Sequence, residues 1–198
     1  MPTDPRFENA LHRIDAENSR DPNQVLVDGV AQPRELLYAQ RLSEWVLRLC
    51  PAASETLRLA ARSQHLCRWM IPRNSYEMTR TGYLRWRSDL KKFHAERTAG
   101  ILREVGYPEP QIERIQALNM KTNLGRDTEC QTLEDALCLV TLQYQLSELM
   151  RKTPSEKLVE ILRKTWKKMS PTAQGCAAKL PFSVAESELI QRALEQSN

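Results

Sequence analysis

The chain has 198 residues, of which 41% are hydrophobic and 27% are charged, and its formal net charge is +4. This composition fits one globular domain with a sizeable core and excludes a low-complexity chain. No apolar run approaches the roughly 20 residues that a membrane span requires, and the N-terminus lacks the apolar segment of a signal peptide, so we expect a cytoplasmic protein with no membrane partner.

Hydrophobic spacing predicts an all-α chain that forms a single compact domain over 1–198, with its core in about 5–170 and a short helical tail. The predicted helices span 5–18, 33–50, 54–70, 80–105, 109–120, 132–151, 155–169 and a short stretch after Ser183. Loops are expected at 19–32, 73–78 and 122–131, where turn-forming or polar residues interrupt the helical spacing. No segment alternates convincingly like a β-strand.

Several common active-site patterns are missing from the sequence. The five cysteines include no C-x-x-C pair, which predicts small buried thiols and neither disulfides nor a cysteine zinc site. There is no dinucleotide-binding glycine motif, P-loop, H-E-x-x-H or G-x-S-x-G. The absence of E-x-x-H argues against a di-iron helical bundle.

Positive charge is concentrated between residues 62 and 103, which we call the basic segment. It holds ten Lys or Arg against three Asp or Glu, a local charge of +7, so the remainder of the chain is near −3. A local excess of this size predicts an anionic partner, such as a phosphate, a nucleotide or a nucleic acid.

The predicted helix 54–70 carries the first group of candidate residues. Helical spacing puts Arg62, His65 and Trp69 on one face, with Arg68 at its border. Neighbouring guanidinium groups disfavour a protonated imidazole, and neutral imidazole is the form that binds metal or acts as a base. The alternative is a surface helix on which the histidine and the tryptophan only pack.

The predicted helix 80–105 carries the second group, because Tyr83, Arg87 and His94 lie on one stripe of it. His94 is in the middle of a half-apolar face, which is typical of a core histidine as well as of a ligand. The arginines on this stripe need partners if the face is buried, and phosphate is a natural one.

A third group, Glu134 and Asp135, opens the strongly apolar helix predicted at 132–151. Thr132 and Asp135 match the capping-box pattern, and negative charge stabilises a helix N-terminus. One of the two carboxylates could nevertheless face a metal or catalytic site while the other caps the helix. A capping role and a functional role therefore both stay open.

Several phrases of the sequence resemble the family catalogued as domain of unknown function 4202. They are A-R-S-Q-H-L-C-R-W at 61–69, I-P-R at 71–73, Y-L-R-W-R at 83–87, H-A at 94–95, G-Y at 106–107 and D-x-E-x-Q-x-L-E-D at 127–135. The resemblance extends from the region of Asp15 to about residue 150 and implies no established activity.

A looser resemblance is to HD-type phosphohydrolases, all-α proteins that bind a divalent metal through histidines and aspartates on successive helices. This resemblance implies an HD-like helical bundle in which His65, His94 and Asp135 hold a divalent metal ion. Residue 95 is Ala, where the family has a metal-ligating Asp, and Glu96, Asp127 or Glu129 could substitute for it.

The first functional hypothesis is a metal-assisted phosphohydrolase acting on a nucleotide or another phosphorylated small molecule. In this hypothesis Glu134 or Glu129 orients or deprotonates the attacking water. The residues expected to bind the substrate and its phosphate are Arg62, Arg68, Trp69, Arg80, Tyr83, Arg87 and Lys121.

Two alternatives stay open. The chain could be a binding module for RNA, such as tRNA, or for a nucleotide. Basic residues would then contact phosphate while Trp69, Tyr83 and Trp86 stack on bases. It could instead be a helical scaffold, in which arginines pair internally with Glu129 and the carboxylates of the 132–151 helix. The sequence does not determine the substrate or the oligomeric state.

Overall fold

The structure is a computed structural model that describes residues 4–195, and it confirms the all-α prediction. The described elements are α1 Pro5–Asn18, β1 Gln24–Val27, β2 Val30–Pro33, α2 Arg34–Leu49, α3 Glu55–Ser63, α4 Arg80–Val105, α5 Glu109–Met120, α6 Thr128–Val140, α7 Leu146–Lys152, α8 Ser155–Lys168, α9 Pro171–Ala177 and α10 Val184–Glu195. Over these residues no helix has both the length and the apolar character needed to cross a membrane.

A small antiparallel hairpin, β1 and β2, lies in the segment that was predicted to be a loop. Its two-residue turn is Asp28 and Gly29, with φ of 51° and 79°, as a type I′ turn requires. Val27 pairs with Val30 across this turn. Each strand has only four residues, which is too short for an alternating pattern to stand out, so only the turn signal was readable in the sequence.

Helix α3 ends at Ser63, well before the predicted end near residue 70. The chain then turns sharply, because the backbone N–H of Cys67 donates to the side-chain oxygen of Asn18 at 3.0 Å and Cys67 adopts a left-handed φ of 54°. Left-handed backbone cannot continue a helix. His65 and Trp69 therefore do not share a helical face with Arg62, and the predicted 54–70 helix is wrong beyond residue 63.

The loop before α4 is held in place by hydrogen bonds within the loop and by one hydrogen bond from α4. The guanidinium of Arg73 donates to the carbonyls of Glu77 at 2.7 Å and Thr79 at 3.3 Å, and the indole N–H of Trp86 donates to the carbonyl of Ile71 at 2.9 Å. These bonds satisfy loop carbonyls that a helix or sheet would otherwise satisfy. The loop is therefore ordered and packs beside α4.

Helix α6 begins at Thr128, four residues before the predicted start at Thr132. Asp127 caps it, since its carboxylate accepts the backbone N–H of Cys130 at 3.0 Å. Thr132 lies in the helix interior, where its hydroxyl donates to the carbonyl of Thr128 at 2.9 Å. The predicted capping box of Thr132 and Asp135 is therefore wrong.

The same helix is central, as its apolar sequence predicted. Every residue from Leu133 to Val140 is buried, and α6 packs against α2, α8 and α9. A π-helical turn at Thr141–Gln145 joins it to α7. The hydrophobic core extends from Phe7 in α1 to Ala193 in α10, so the C-terminal helix contributes to the core.

We predict that Gly82→Ala destabilises the protein by about 1–3 kcal/mol, because a small-to-large change in a tight contact forces neighbouring atoms to move. A Cβ at position 82 would be 2.2 Å from the carbonyl oxygen of Glu77, which already accepts from Arg73. Urea unfolding measures the change in the free energy of unfolding.

Gly100 in the same helix is the matched control. A Cβ there meets nothing within 4 Å, so Gly100→Ala gains helix propensity, up to about 1 kcal/mol. Equal effects of the two substitutions would contradict the close contact between α4 and the preceding loop.

Candidate anion-binding cleft

Two adjoining cavities lie between α2, α4, the α3–α4 connection and the π-helical turn. The hairpin-side cavity has a volume of about 570 Å³, and the histidine cavity has a volume of about 290 Å³. We call the two together the cleft. They share five lining residues, which are Tyr38, His65, Arg68, Trp86 and Gln145.

The cleft is strongly basic. Four basic side chains and no acidic one line the histidine cavity within the described part of the chain, and they are Arg68, Arg87, Lys91 and Lys121. The hairpin-side cavity adds Arg34, Arg41 and Arg73 against the carboxylates of Glu35 and Glu148. A concave surface lined by one sign of charge concentrates ions of the opposite sign.

His65 is held against α2 by two contacts. Its ring stacks on Tyr38 with centroids 4.2 Å apart and an interplanar angle of 10°, and its Nδ1 lies 3.4 Å from a carboxylate oxygen of Glu35. Burial, assisted by the charge of Arg68, holds the pKa of His65 well below its usual value. The imidazole is therefore neutral at physiological pH.

Glu35 occupies the first turn of α2 and is 7% exposed. Its backbone N–H donates to Asp21 at 3.0 Å, which fixes the start of the helix beside the hairpin. Burial raises the pKa of Glu35, and the nearby charge of Arg68 opposes this shift. A buried carboxyl beside a neutral imidazole forms a pair that can hold one proton between them.

His94 lies next to His65, with ring centroids 5.9 Å apart. Its Nδ1 is 2.8 Å from the carbonyl oxygen of Leu66. Because a carbonyl only accepts, Nδ1 carries the proton and Nε2 carries the lone pair. Nε2 is buried without a hydrogen-bond partner among the described residues, and burial, followed by the neighbouring His65, lowers the pKa of His94 to about 3.

Two cations of the histidine cavity have no carboxylate partner among residues 4–195. Arg87 lies over the ring of Tyr83 at 5.8 Å, and no ion pair within that range involves Arg87 or Lys91. Burial, then the charges of Lys121 and Arg87, lowers the pKa of Lys91. Lys91 is half-buried and Arg87 is exposed at the edge of the same cavity. Like charges this close repel one another, so the arrangement favours an anion between them.

The cleft contains five of the seven side chains that the sequence predicted to bind substrate: Arg68, Trp69, Tyr83, Arg87 and Lys121. Arg62 lines neither cavity, because it makes a two-pronged ion pair with Asp15 at 2.6 Å for each bond. Arg80 is exposed at the start of α4 and also lines neither cavity.

The two carboxylates proposed to activate water are engaged in ion pairs. Glu134 accepts from Lys121 at 2.5 Å and lies 3.4 Å from Lys168. Glu129 pairs with Arg114 at 2.5 Å. Neither glutamate lines the cleft. The scaffold alternative predicted arginine partners, and among the described residues only Glu129 has one, because Glu134 pairs with two lysines.

Only two of the three predicted metal ligands lie together. Asp135 does not line the cleft with His65 and His94, because one of its oxygens accepts the backbone N–H of Ser170 at 2.9 Å and the other accepts the Ser170 hydroxyl. Across the described residues, no group of three or more His, Cys, Asp or Glu side chains is arranged to hold a metal ion. The basic lining also disfavours a cation without an accompanying anion.

Glu35 and Lys91 are the cleft residues that the sequence interpretation missed. Glu35 had a readable signal, since it precedes Tyr38, Ala39 and Leu42 at the spacing of one buried helical face. A carboxyl group on a buried face requires an explanation. Lys91 lies one helical turn after Arg87 in α4, which the sequence does show, but its position beside Lys121 depends on how α4 and α5 pack.

A family model described as "Domain of unknown function (DUF4202)" matches residues 8–190, in agreement with the resemblance seen in the sequence. No match was found among curated proteins or among solved structures.

The neutral, buried His94 predicts a pH effect on stability. The unfolded chain binds a proton at His94 below about pH 6.5, whereas the folded state does so only near 3. The unfolded state therefore binds more protons between these values, and stability falls as the pH is lowered. Lowering the pH from about 7 to about 5 should therefore reduce the free energy of unfolding by about 2 kcal/mol through His94 alone.

Replacing His94 by Gln should remove this contribution, so the variant should lose about 2 kcal/mol less than the wild type over the same pH range. Urea unfolding at several pH values measures the difference. His12→Gln, at an exposed position of α1, is the control and should keep the wild-type slope. An unchanged slope in His94→Gln would show that its imidazole is accessible to protons.

Proposed function

The chain belongs to the family described as Domain of unknown function (DUF4202), and we propose that it binds a phosphorylated small molecule in the cleft and hydrolyses it, with His65 as the general base. The observation that carries the proposal is the neutral His65, placed against Glu35 at the edge of a cavity whose lining is basic and free of carboxylates. The substrate class includes nucleotides and other phosphorylated metabolites.

Binding is assigned to the cations that lack an internal partner. Arg87 and Lys91 hold the phosphate in the histidine cavity, with Arg68 at the junction of the two cavities. Guanidinium groups make paired hydrogen bonds to phosphate oxygens, and an ammonium adds a point charge. An anion in this position relieves the repulsion that lowers the pKa of Lys91.

The chemical step uses the pair of His65 and Glu35. In the proposed step, Nδ1 of His65, which lies 3.4 Å from a carboxylate oxygen of Glu35, moves closer and donates a hydrogen bond to it. This leaves Nε2 to take a proton from water as the water oxygen bonds to phosphorus. The ester P–O bond breaks, and the leaving oxygen takes the proton back from Nε2. Glu35 stabilises the transient imidazolium, and the cations of the cavity stabilise the phosphoryl charge.

Substrate binding also makes His65 a better base. In the empty cleft, the charges of Arg68, Lys121 and Arg87 contribute to the low pKa of His65. A bound phosphate dianion offsets these charges and raises the pKa toward the range in which imidazole accepts protons. The base therefore gains strength when the substrate is present.

We expect Arg87→Gln and Lys91→Met each to weaken binding of AMP by about 10–100-fold, since a hydrogen bond to a charged group contributes about 1.5–3 kcal/mol. Isothermal titration calorimetry measures the dissociation constants. Arg85→Gln is the matched control, because Arg85 is an exposed arginine of the same helix that lies outside the cleft. Equal losses in all three variants would contradict a specific site and indicate only a general charge effect.

We expect His65→Asn to lower phosphate release from AMP or p-nitrophenyl phosphate by about 10²–10⁴-fold, which is the usual contribution of a general base. Glu35→Gln should lower it in the same direction, and both variants should bind AMP within about threefold of the wild type. Tight binding of AMP with no phosphate release by the wild type would instead support the nucleotide-binding alternative without catalysis.

The divalent metal ion stays a prediction, and it is an alternative to the step above, because an Nε2 that binds metal cannot also accept a proton from water. His65 and His94 direct Nδ1 at a carboxylate and a carbonyl respectively, which is typical of histidines that bind metal through Nε2. Further ligands would have to be water or the phosphate itself. Atomic absorption on untagged protein, with and without AMP, measures the metal content, and His65→Ala should lower any stoichiometric content.

The RNA alternative has less support from the aromatic residues. Trp86 is 9% exposed, and its N–H is bonded to Ile71, so it offers little surface on which a base can stack. Tyr83 is exposed and remains available. Titration of single-stranded RNA at two salt concentrations tests this alternative, because phosphate contacts weaken steeply as salt rises.

A further inference from the structure

Building on the proposed function, we infer that the ligand carries hydroxyl groups beside its phosphate and that His94 and Gln64 in the histidine cavity recognise them. The ligand is thus a sugar phosphate, or the sugar-phosphate part of a nucleotide. Two buried hydrogen-bond acceptors without donors carry this inference, and both belong to residues that line the same cavity.

The first acceptor is Nε2 of His94. The side chain is 2% exposed, and its other ring nitrogen is committed to the carbonyl of Leu66 at 2.8 Å. Nε2 therefore presents a lone pair with no donor among the described residues. A buried acceptor without a donor destabilises the folded protein by about 1–3 kcal/mol. We therefore expect a ligand to supply the donor for Nε2.

The second acceptor is Oε1 of Gln64. Gln64 is 5% exposed, and its Nε2 donates to the carbonyl of Asn119 at 3.4 Å. This bond fixes the orientation of the amide, since a carbonyl accepts only from the nitrogen side. Oε1 is then the free end of the amide, and it too is buried without a donor.

The partner of these acceptors must donate hydrogen bonds and must be neutral. An ammonium group is excluded by the charges of Arg87, Lys91 and Lys121 in the same cavity. An alkyl phosphate would leave both acceptors unpaired. A hydroxyl group donates without bringing charge, and a polyol phosphate combines such donors with the anion that the cations require.

The size of the cavity agrees with such a ligand. Its volume of about 290 Å³ is near the lower end of small-molecule sites, which begin at about 300 Å³. The adjoining hairpin-side cavity, lined by Tyr38, Trp69 and Tyr144, leaves space for a further group attached to the sugar.

Two phosphates with five carbons each test the inference on the wild-type protein. Ribose 5-phosphate carries hydroxyl groups, and n-pentyl phosphate has none. We expect ribose 5-phosphate to bind at least about tenfold more tightly by calorimetry, as two new hydrogen bonds to buried acceptors imply. Equal affinity, or tighter binding of pentyl phosphate, would overturn the inference while leaving phosphate binding intact.

Side-chain variants test which residues produce the preference for ribose 5-phosphate over pentyl phosphate. Gln64→Met and His94→Phe remove one acceptor each at similar volume, and each should reduce the preference for ribose 5-phosphate to less than about threefold while pentyl phosphate still binds. Gln116→Met is the matched control, because Gln116 is a half-buried glutamine outside both cavities whose amide donates to the Ala95 carbonyl at 3.3 Å. It should keep the full preference.

The outcomes separate the two proposals. If neither phosphate binds to the wild type, the proposed function fails together with this inference. If both bind and the preference is absent, or survives in both Gln64→Met and His94→Phe, the proposed phosphate site stands and its recognition of hydroxyl groups is refuted.

Discussion

The hydrogen bond from the backbone of Cys67 to the side chain of Asn18 is the constraint on which the candidate site depends. It stabilises left-handed backbone at Cys67, four residues after the end of α3, and so prevents the helix from continuing. The turn brings His65 against α2 and directs the Leu66 carbonyl at His94. Without this turn, a continued helix would carry His65 and Arg68 away from Glu35.

The basic residues of the protein divide into two groups with different roles. Arg62, Arg114 and Lys121 pair with internal carboxylates, and such pairs fix the arrangement of the helices more than they add stability. Arg87 and Lys91 lack such partners among the described residues and line the cleft. Internal ion pairing accounts for the first group, and the ligand binding that we propose would account for the second.

Burial and charge act together on the two histidines. His94 is buried and His65 is largely shielded from water, and the surrounding cations further disfavour protonation. The same conditions that keep them neutral also make the cavity favourable for an anion. The proposed base and the proposed phosphate site are therefore consequences of one electrostatic environment, and a change in that environment affects both.

The sequence by itself determined the all-α class, the extents of α1, α2, α4, α5 and α8, the start of α10, and the concentration of positive charge in the basic segment. These follow from local spacing and capping. In the structure, Ser54 caps the start of α3 through the N–H of Leu57, and Gly106 ends α4 with a φ of 87°. The local signals were misleading at Thr132, because Asp127 competes for the same role and caps α6 first.

Only the tertiary structure decided which charged residues meet. Glu134 and Asp135 are adjacent in sequence, yet one pairs with Lys121 and the other with Ser170, since neighbouring positions on a helix point in different directions. Glu35 is thirty residues from His65 in the sequence and contacts it only because α2 packs beside the end of α3. Side-chain periodicity predicts the face of a helix on which a residue lies, but the neighbour of that face depends on the packing of the whole chain.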